Sequence, residues 1–172
     1  SYLIPATLPN NLIKPKYLYV SCDGPRRNNP EDIKLCAEVK KICTAIDWDC
    51  NFNKFFSEKN KSCKINVIES ISWFFSKQEK GIILEDDCIP DLTFFNFCKV
   101  LLDKYEFNES IMQINGHCNN QISSKNETYY FSKLNSTWGW ATWKRAWDMF
   151  DPLMDGYDAL KENRYIYNYF SN

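Results

Sequence analysis

Apolar positions along the chain alternate between short continuous runs and helix-spaced patterns. Tyr17-Leu18-Tyr19-Val20-Ser21 is a β-rich run that stops at the breaker cluster Cys22-Asp23-Gly24-Pro25. Pro30-Glu31-Asp32 predicts a helix start, because proline fits the first turn and acidic side chains favour its positive end. Ile33, Cys36, Ala37, Val39 and Cys43 continue it at helical spacing. Residues 48–56 read as an aromatic-rich strand and loop, and 66–75 as a second amphipathic helix. Ile82-Ile83-Leu84 is a continuous apolar run, the pattern of a strand buried on both faces. Pro90-Asp91 opens a third helix carrying Phe94, Phe95, Phe97, Cys98, Leu101 and Leu102. Strands follow at 110–115 and 129–131, then a turn at Trp138-Gly139-Trp140 and helices at 142–150 and 157–170. Tyr2-Leu3-Ile4 is a further short strand candidate. The order β-α-β-α-β-α-β-β-α predicts an α/β fold with a mostly parallel central sheet flanked by helices. Ligands of such sheets bind beyond the carboxyl ends of strands. Asp23 and Glu85-Asp86-Asp87 both fall at such ends.

Length and charge narrow this picture. A chain of 172 residues suits one domain, spanning residues 1–172. Its net charge of −1 supplies no basic field for nucleic acid. No run approaches the roughly 20 apolar residues that cross a bilayer, and residues 1–5 lack the pattern of a signal peptide. A cytoplasmic or membrane-associated location is therefore expected. The eight cysteines are scattered and contain no CxxC pair, so buried free thiols are expected rather than a disulfide framework or a zinc knuckle. Asn126-Glu127-Thr128 and Asn135-Ser136-Thr137 match the glycan acceptor pattern, which recurs by chance in an Asn-rich chain. Aromatic residues make up 16%, enough for some to form a ligand surface as well as a core.

The acidic triplet carries the most chemistry. By itself it reads as a solvated turn ahead of a helix. At the end of a buried strand, however, three adjacent carboxylates repel one another unless a cation or donor groups offset them. Mg²⁺ or Mn²⁺, with oxygen ligands, retained waters and a diphosphate, makes a coherent partner. Trp138, Gly139 and Trp140 place two large apolar faces on a tight turn, as a sugar platform or as a core plug. Trp143 is expected to pack inward with Trp147, four residues on. His117, the one histidine, stands after Asn115-Gly116 as a possible ligand or acid/base group, or as a plain loop residue. No glycine-rich phosphate loop is present.

Gly81 to Pro90, read Gly-Ile-Ile-Leu-Glu-Asp-Asp-Cys-Ile-Pro, resembles the EDD segment of bacterial nucleotide-diphospho-sugar transferases. These are related in fold to N-acetylglucosaminyltransferase I. Four other stretches are similar in order and spacing: Tyr19 to Arg26; Cys63-Lys64 with the later Ile71-Ser72-Trp73-Phe74-Phe75; Ile111 to Gly116; and Trp138 to Trp143. The resemblance covers residues 16–152. It implies a GT-A type fold and a metal-dependent glycosyltransferase, a hexosyl- or N-acetylhexosaminyltransferase. Such an enzyme moves a sugar from a nucleotide-diphosphate donor, UDP-sugar favoured, to a hydroxyl of a glycan or other acceptor, with inversion. Asp87 resembles the direct ligand of Mn²⁺ or Mg²⁺. Asp86 looks like the neighbour of the ribose and metal waters, and Glu85 like a contact to the donor. Asp23, with Gly24, would approach the nucleobase, and Arg26 and Lys64 the diphosphate. His117, Trp138, Gly139 and Trp140 would line the donor sugar.

The resemblance also implies a carboxylate base beyond the Trp-rich loop, past the end of this chain. Asp148, Asp151, Asp155 and Asp158 are the fallback candidates, with Asp151 and Asp155 named as catalytic. A first strand and helix are expected before Tyr17, so the domain is read as incomplete at both ends. A competing reading is a non-catalytic sugar-nucleotide or glycan-binding relative that lost the base. Another is a nucleotidyltransferase or phosphatase, which would want carboxylates at a second strand end; residues 111–116 offer none.

Overall fold

The computed structural model describes residues 14–117 and 128–171. The expected strand at Tyr2-Leu3-Ile4, Cys118 and the acceptor pattern at Asn126 lie outside these residues. The chain is a mixed α/β fold with two small sheets. β1 (Tyr17–Cys22) and β2 (Asn51–Phe56) pair in parallel, Tyr17 opposite Asn51 and Cys22 opposite Phe56. Between them runs α1 (Pro30–Thr44), whose N-cap Asn29 accepts from the Asp32 N–H. Proline in the first turn and Glu31 and Asp32 beside it start this helix where the sequence places it.

α2 (Cys63–Phe75) leads into β3 (Lys80–Ile83), and α3 (Phe94–Lys104) into β4 (Gln113–Asn115). β5 (Trp140–Trp143) lies between β3 and β4 and is antiparallel to both, with Ile83 and Asn115 each opposite Trp140. This corrects the expected mostly parallel sheet: the parallel pairing is β1 with β2, and the second sheet is antiparallel. The cause is the path of the chain. It leaves β4 at Gly116 and re-enters at Gly139 on the same sheet end, where the Gly116 N–H donates to the Gly139 carbonyl at 2.7 Å. The intervening connection carries no tight-turn signature, so nothing in the sequence announces an antiparallel return.

Other boundaries shift for local reasons. Asp91 accepts from both the N–H and the hydroxyl of Thr93, so α3 starts at Phe94 rather than at Pro90. Residues 129–131 form no strand. Tyr129 instead lays its ring against Tyr105 and Phe97, and its hydroxyl bonds those of Tyr105 and the Lys104 ammonium. The expected helix at 142–150 shrinks to α4 (Lys144–Trp147), because Thr142 and Trp143 are taken into β5. The helix expected at 157–170 is broken into α5 (Tyr157–Glu162) and α6 (Tyr165–Ser171) by Arg164, at φ 54°.

Period-two alternation along β5 splits the core. Ala141 and Trp143 face α3, with Leu84, Cys98, Leu101, Leu102 and Ile114. Trp140 faces α2, with Ile71, Phe75 and Ile83. Trp147 joins the α2 side by stacking on Phe75 and donating to the Ser72 hydroxyl, so Trp143 and Trp147 do not pack together as expected. A third cluster of Leu18, Val20 and Cys43 holds α1 on β1. Arg145 closes the α3–β4 connection, its guanidinium donating to the carbonyls of Tyr105, Glu106, Asn108 and Ile111. The described cysteines are free thiols; Cys22, Cys43 and Cys98 are buried as expected, whereas Cys36, Cys50 and Cys88 are half-buried and Cys63 is exposed. Burial pushes Cys43 up to about 11 and Cys98 up to about 12, so both stay protonated and inert at neutral pH.

Candidate functional site

The ends of β3 and β4 and the start of β5 meet at one edge of the antiparallel sheet, because Trp140 stands opposite both Ile83 and Asn115. Three loops converge there: Glu85-Asp86-Asp87 after β3, Gly116-His117 after β4, and Trp138-Gly139 before β5. Two glycines make the convergence possible. A Cβ on Gly116 would stand 2.3 Å from the Phe94 ring and 2.6 Å from the Gly139 carbonyl oxygen. Gly139 has φ +67°, a conformation costly for residues with a Cβ, and lies over Leu84 and Phe94. Asn115 steadies the same loop from below, its side-chain oxygen accepting from the Ser136 N–H at 3.2 Å.

The acidic triplet turns tightly, the Cys88 N–H donating to the Glu85 carbonyl at 3.1 Å. Asp86 and Asp87 are exposed and Glu85 is half-buried. Burial raises the Glu85 carboxyl above the ordinary range, and the charges of Asp87 and Asp86 push in the same direction. Cys88 lies beneath the triplet, its thiol directed at Asp87 Oδ1 at 3.7 Å and raised chiefly by burial. Among the described residues no three His, Cys, Asp or Glu side chains gather as a metal cage. Asp87 offers one exposed carboxylate. That donor set fits a hard divalent ion whose other ligands come from phosphate oxygens and water.

The two tryptophans of the turn part company. Trp138 is 61% exposed, its ring edge-to-face with His117 at 5.5 Å. Trp140 is 8% exposed and belongs to the core on the α2 side. Trp140, the first residue of β5, is packed with Ile71, Phe75 and Ile83, and Gly139 at φ +67° separates it from the exposed Trp138.

No family model, curated protein or solved structure matches the chain. The site is therefore described from its own residues.

A second group stands at the end of β1. The Asp23 carboxylate accepts from the N–H groups of Gly24 and Lys61 and from the Asn60 amide. It latches the loop after β2 over the end of β1. Gly24 is required by that closeness, since a Cβ would fall 2.5 Å from the Lys59 backbone. Arg26 is committed elsewhere: its guanidinium makes a two-point contact with Asp32, Nε at 2.6 Å and Nη2 at 2.8 Å. That contact, rather than burial, holds the Asp32 carboxyl below its usual range. Lys64 donates to the Pro152 carbonyl at 3.2 Å. The structure thus gives Asp23, Arg26 and Lys64 intramolecular partners that sequence spacing did not reveal.

α2 joins the two groups. Its Ser70 hydroxyl bonds that of Ser21 in β1 at 2.5 Å, while the adjacent Ile71 packs with Ile83 and Trp140. Of the fallback bases, Asp151 and Asp155 lie on the exposed loop after α4, Asp148 caps the end of α4 and Asp158 stands in the first turn of α5. Asp151 accepts from the N–H groups of Leu153 and Asp155, which lowers its pKa, and Asp155 supplies one of those donors. Sequence reasoning missed Phe94, Asn115 and Cys88 as supports of the site. Phe94 was legible only as a core position of the third helix.

Proposed function

We propose that the chain binds a nucleotide-diphosphate sugar with a divalent metal, as the donor site of a glycosyltransferase of the nucleotide-diphospho-sugar type. The observation that carries the reading is the convergence of Glu85-Asp86-Asp87, Gly116-His117 and Trp138 on one sheet edge. An anionic loop and an exposed indole stand at the same strand ends. The Asp87 carboxylate holds one position of a Mn²⁺ or Mg²⁺ ion, leaving others to the donor's diphosphate. When bound, the ion supplies charge neutralisation on the departing nucleoside diphosphate. Glu85, half-buried with its pKa raised by burial, exchanges hydrogen bonds with hydroxyls of the donor. Trp138 offers a flat apolar face to the sugar ring, and His117 braces that face from its edge.

Transfer would also need a base at the acceptor hydroxyl. Asp151 is a poor one, because a carboxylate stabilised by backbone N–H groups resists taking up a proton. This observation favours, as a second reading, a sugar-nucleotide-binding chain without transfer activity of its own. GT-A architecture and a UDP donor remain part of the proposal.

The test is calorimetric titration with UDP-glucose, UDP-N-acetylglucosamine and GDP-mannose, with and without Mn²⁺, on the wild type and on Asp87→Asn. Metal-dependent binding that Asp87→Asn abolishes is the expected result. Failure of all three donors to bind with Mn²⁺ present would overturn the reading. Binding without release of nucleoside diphosphate toward any acceptor would leave the second reading standing alone.

A further inference from the structure

Among the described residues, two buried side-chain oxygens have no hydrogen-bond partner, Ser57 Oγ and Asn66 Oδ1. Ser57 is 6% exposed and Asn66 1%. A buried polar atom left unpaired is costly, and folded proteins keep few of them. These two belong to different elements, yet the fold brings them to the same place.

Alternation along the strands sets the direction of Ser57. Leu18 and Val20 pack with Cys43 of α1, so Tyr19 and Ser21 point to the other face of the sheet, where α2 lies. Phe55, opposite Ser21, stacks on Trp73 of α2. The Ser57 N–H donates to the Cys22 carbonyl at 3.0 Å and carries the ladder one step past β2. Two positions beyond Phe55, the Ser57 side chain falls on the α2 face as well.

α2 runs antiparallel to β1. Tyr19 meets Trp73 and Phe74, while Ser21, nearer the strand's end, bonds Ser70. One helical turn nearer the start of α2 comes Asn66, on the same face as Ser70, whose hydroxyl donates to the Asn66 carbonyl. Asn66 and Ser57 therefore stand at one level, just beyond the contact between Ser21 and Ser70.

The chemistry there selects a small neutral donor. Asn66 Oδ1 only accepts, whereas the Ser57 hydroxyl can accept or donate. An anion would meet an acceptor at Asn66. A cation would stand close to the Lys40 ammonium, which donates to the Ser57 carbonyl at 2.9 Å. Neither oxygen is open to solvent, so nothing larger than a solvent molecule fits between them without opening the fold. We propose that one buried water molecule bridges Ser57 Oγ and Asn66 Oδ1, tying the end of β2 to the start of α2.

Its position gives it a task. Residues 58–65, between its two partners, include the loop that Asp23 latches through the Lys61 N–H. Within that loop Ser62 has φ 71° and gives α2 no side-chain cap. Such a backbone persists only where its surroundings hold it. Asp23 fastens the middle of the loop, and the water closes its base. This assignment does not rest on the donor reading.

A high-resolution crystal structure of the full wild-type chain is the first test. Density for a water within hydrogen-bond reach of both oxygens is expected. Its absence, or a direct bond from both side chains to other protein atoms, would overturn the proposal. Amide exchange tests the sharing. Ser57→Ala and Asn66→Leu are each expected to speed exchange at Lys61 about tenfold, and the double variant also about tenfold rather than about a hundredfold, because either change alone releases the water. Asn66→Ala replaces the leucine variant if that one does not fold. Effects that multiply in the double variant, or single variants that leave Lys61 unchanged, would overturn the bridge.

Discussion

Gly116 and Gly139, 23 positions apart, share a backbone hydrogen bond of 2.7 Å that closes the long connection between β4 and β5. This bond brings the Trp138 loop beside the acidic triplet. It also explains why both positions carry glycine. Gly139 needs a left-handed backbone, and Gly116 has no room for a methyl group beside Phe94.

Gly116→Ala is therefore expected to cost about 1–3 kcal/mol, the usual range for overpacking. The penalty at this position is steric, since Gly116 does not have a positive φ. A double-mutant cycle with Phe94→Leu, read by chemical denaturation, should show non-additivity, the glycine change costing less in the smaller background. Strict additivity would mean that the ring is not what excludes the methyl.

The two tryptophans of the turn should behave oppositely. Trp140→Ala removes a buried side chain and is expected to cost about 3–5 kcal/mol. Trp138→Ala, at an exposed position, should change stability by no more than about 0.5 kcal/mol while weakening donor binding. Thermal unfolding and calorimetry on both variants separate the roles, and equal losses of stability would contradict the placement of the side chains.

Glu85 predicts a pH signature. Its folded-state pKa is raised, so between the unfolded value near 4.3 and the folded value the native state binds more protons than the unfolded one. Stability at this site is present at lower pH and is lost as pH rises through the folded pKa. Glu85→Gln should thus raise the melting temperature at pH 7 and change it little at pH 4. A variant less stable at pH 7 would show that the carboxylate is held by favourable contacts instead.

Asp32, by contrast, has a depressed pKa owing to Arg26, so its contribution is present at neutral pH and fades as pH falls below about 4. Arg26→Ala should move the Asp32 titration, followed by NMR, upward toward the ordinary carboxylate value. No movement would mean that the pair is not formed in solution.

Asp23 is expected to act first as a latch. Asp23→Ala leaves the N–H groups of Gly24 and Lys61 without their acceptor, at a cost of about 1–3 kcal/mol. Exchange at the Lys61 amide should speed markedly, whether or not a nucleotide is present. Unchanged exchange there would remove the structural role and return Asp23 to ligand recognition alone.

What the sequence determined by itself were features decided within a few residues. Asn29-Pro30-Glu31-Asp32 caps and starts α1 through local hydrogen bonding and charge. Ile82 and Ile83 end strand β3, with Leu84 just beyond it, because a short apolar run flanked by polar turns has few other ways to be buried. The position of Glu85-Asp86-Asp87 just beyond β3 follows directly. Tertiary structure decided whatever depends on partners far away in the chain. The direction of β5 rests on a contact between Gly116 and Gly139. The split of Trp140 from Trp138 rests on the turn at Gly139, φ +67°, after which Trp140 enters β5 and packs against α2. Arg26 and Asp23 read as ligand contacts, and their intramolecular partners Asp32 and Lys61 came into view only in the fold. Side-chain hydrogen bonds and sheet order carry no local periodicity, so they emerge only when packing brings distant segments together.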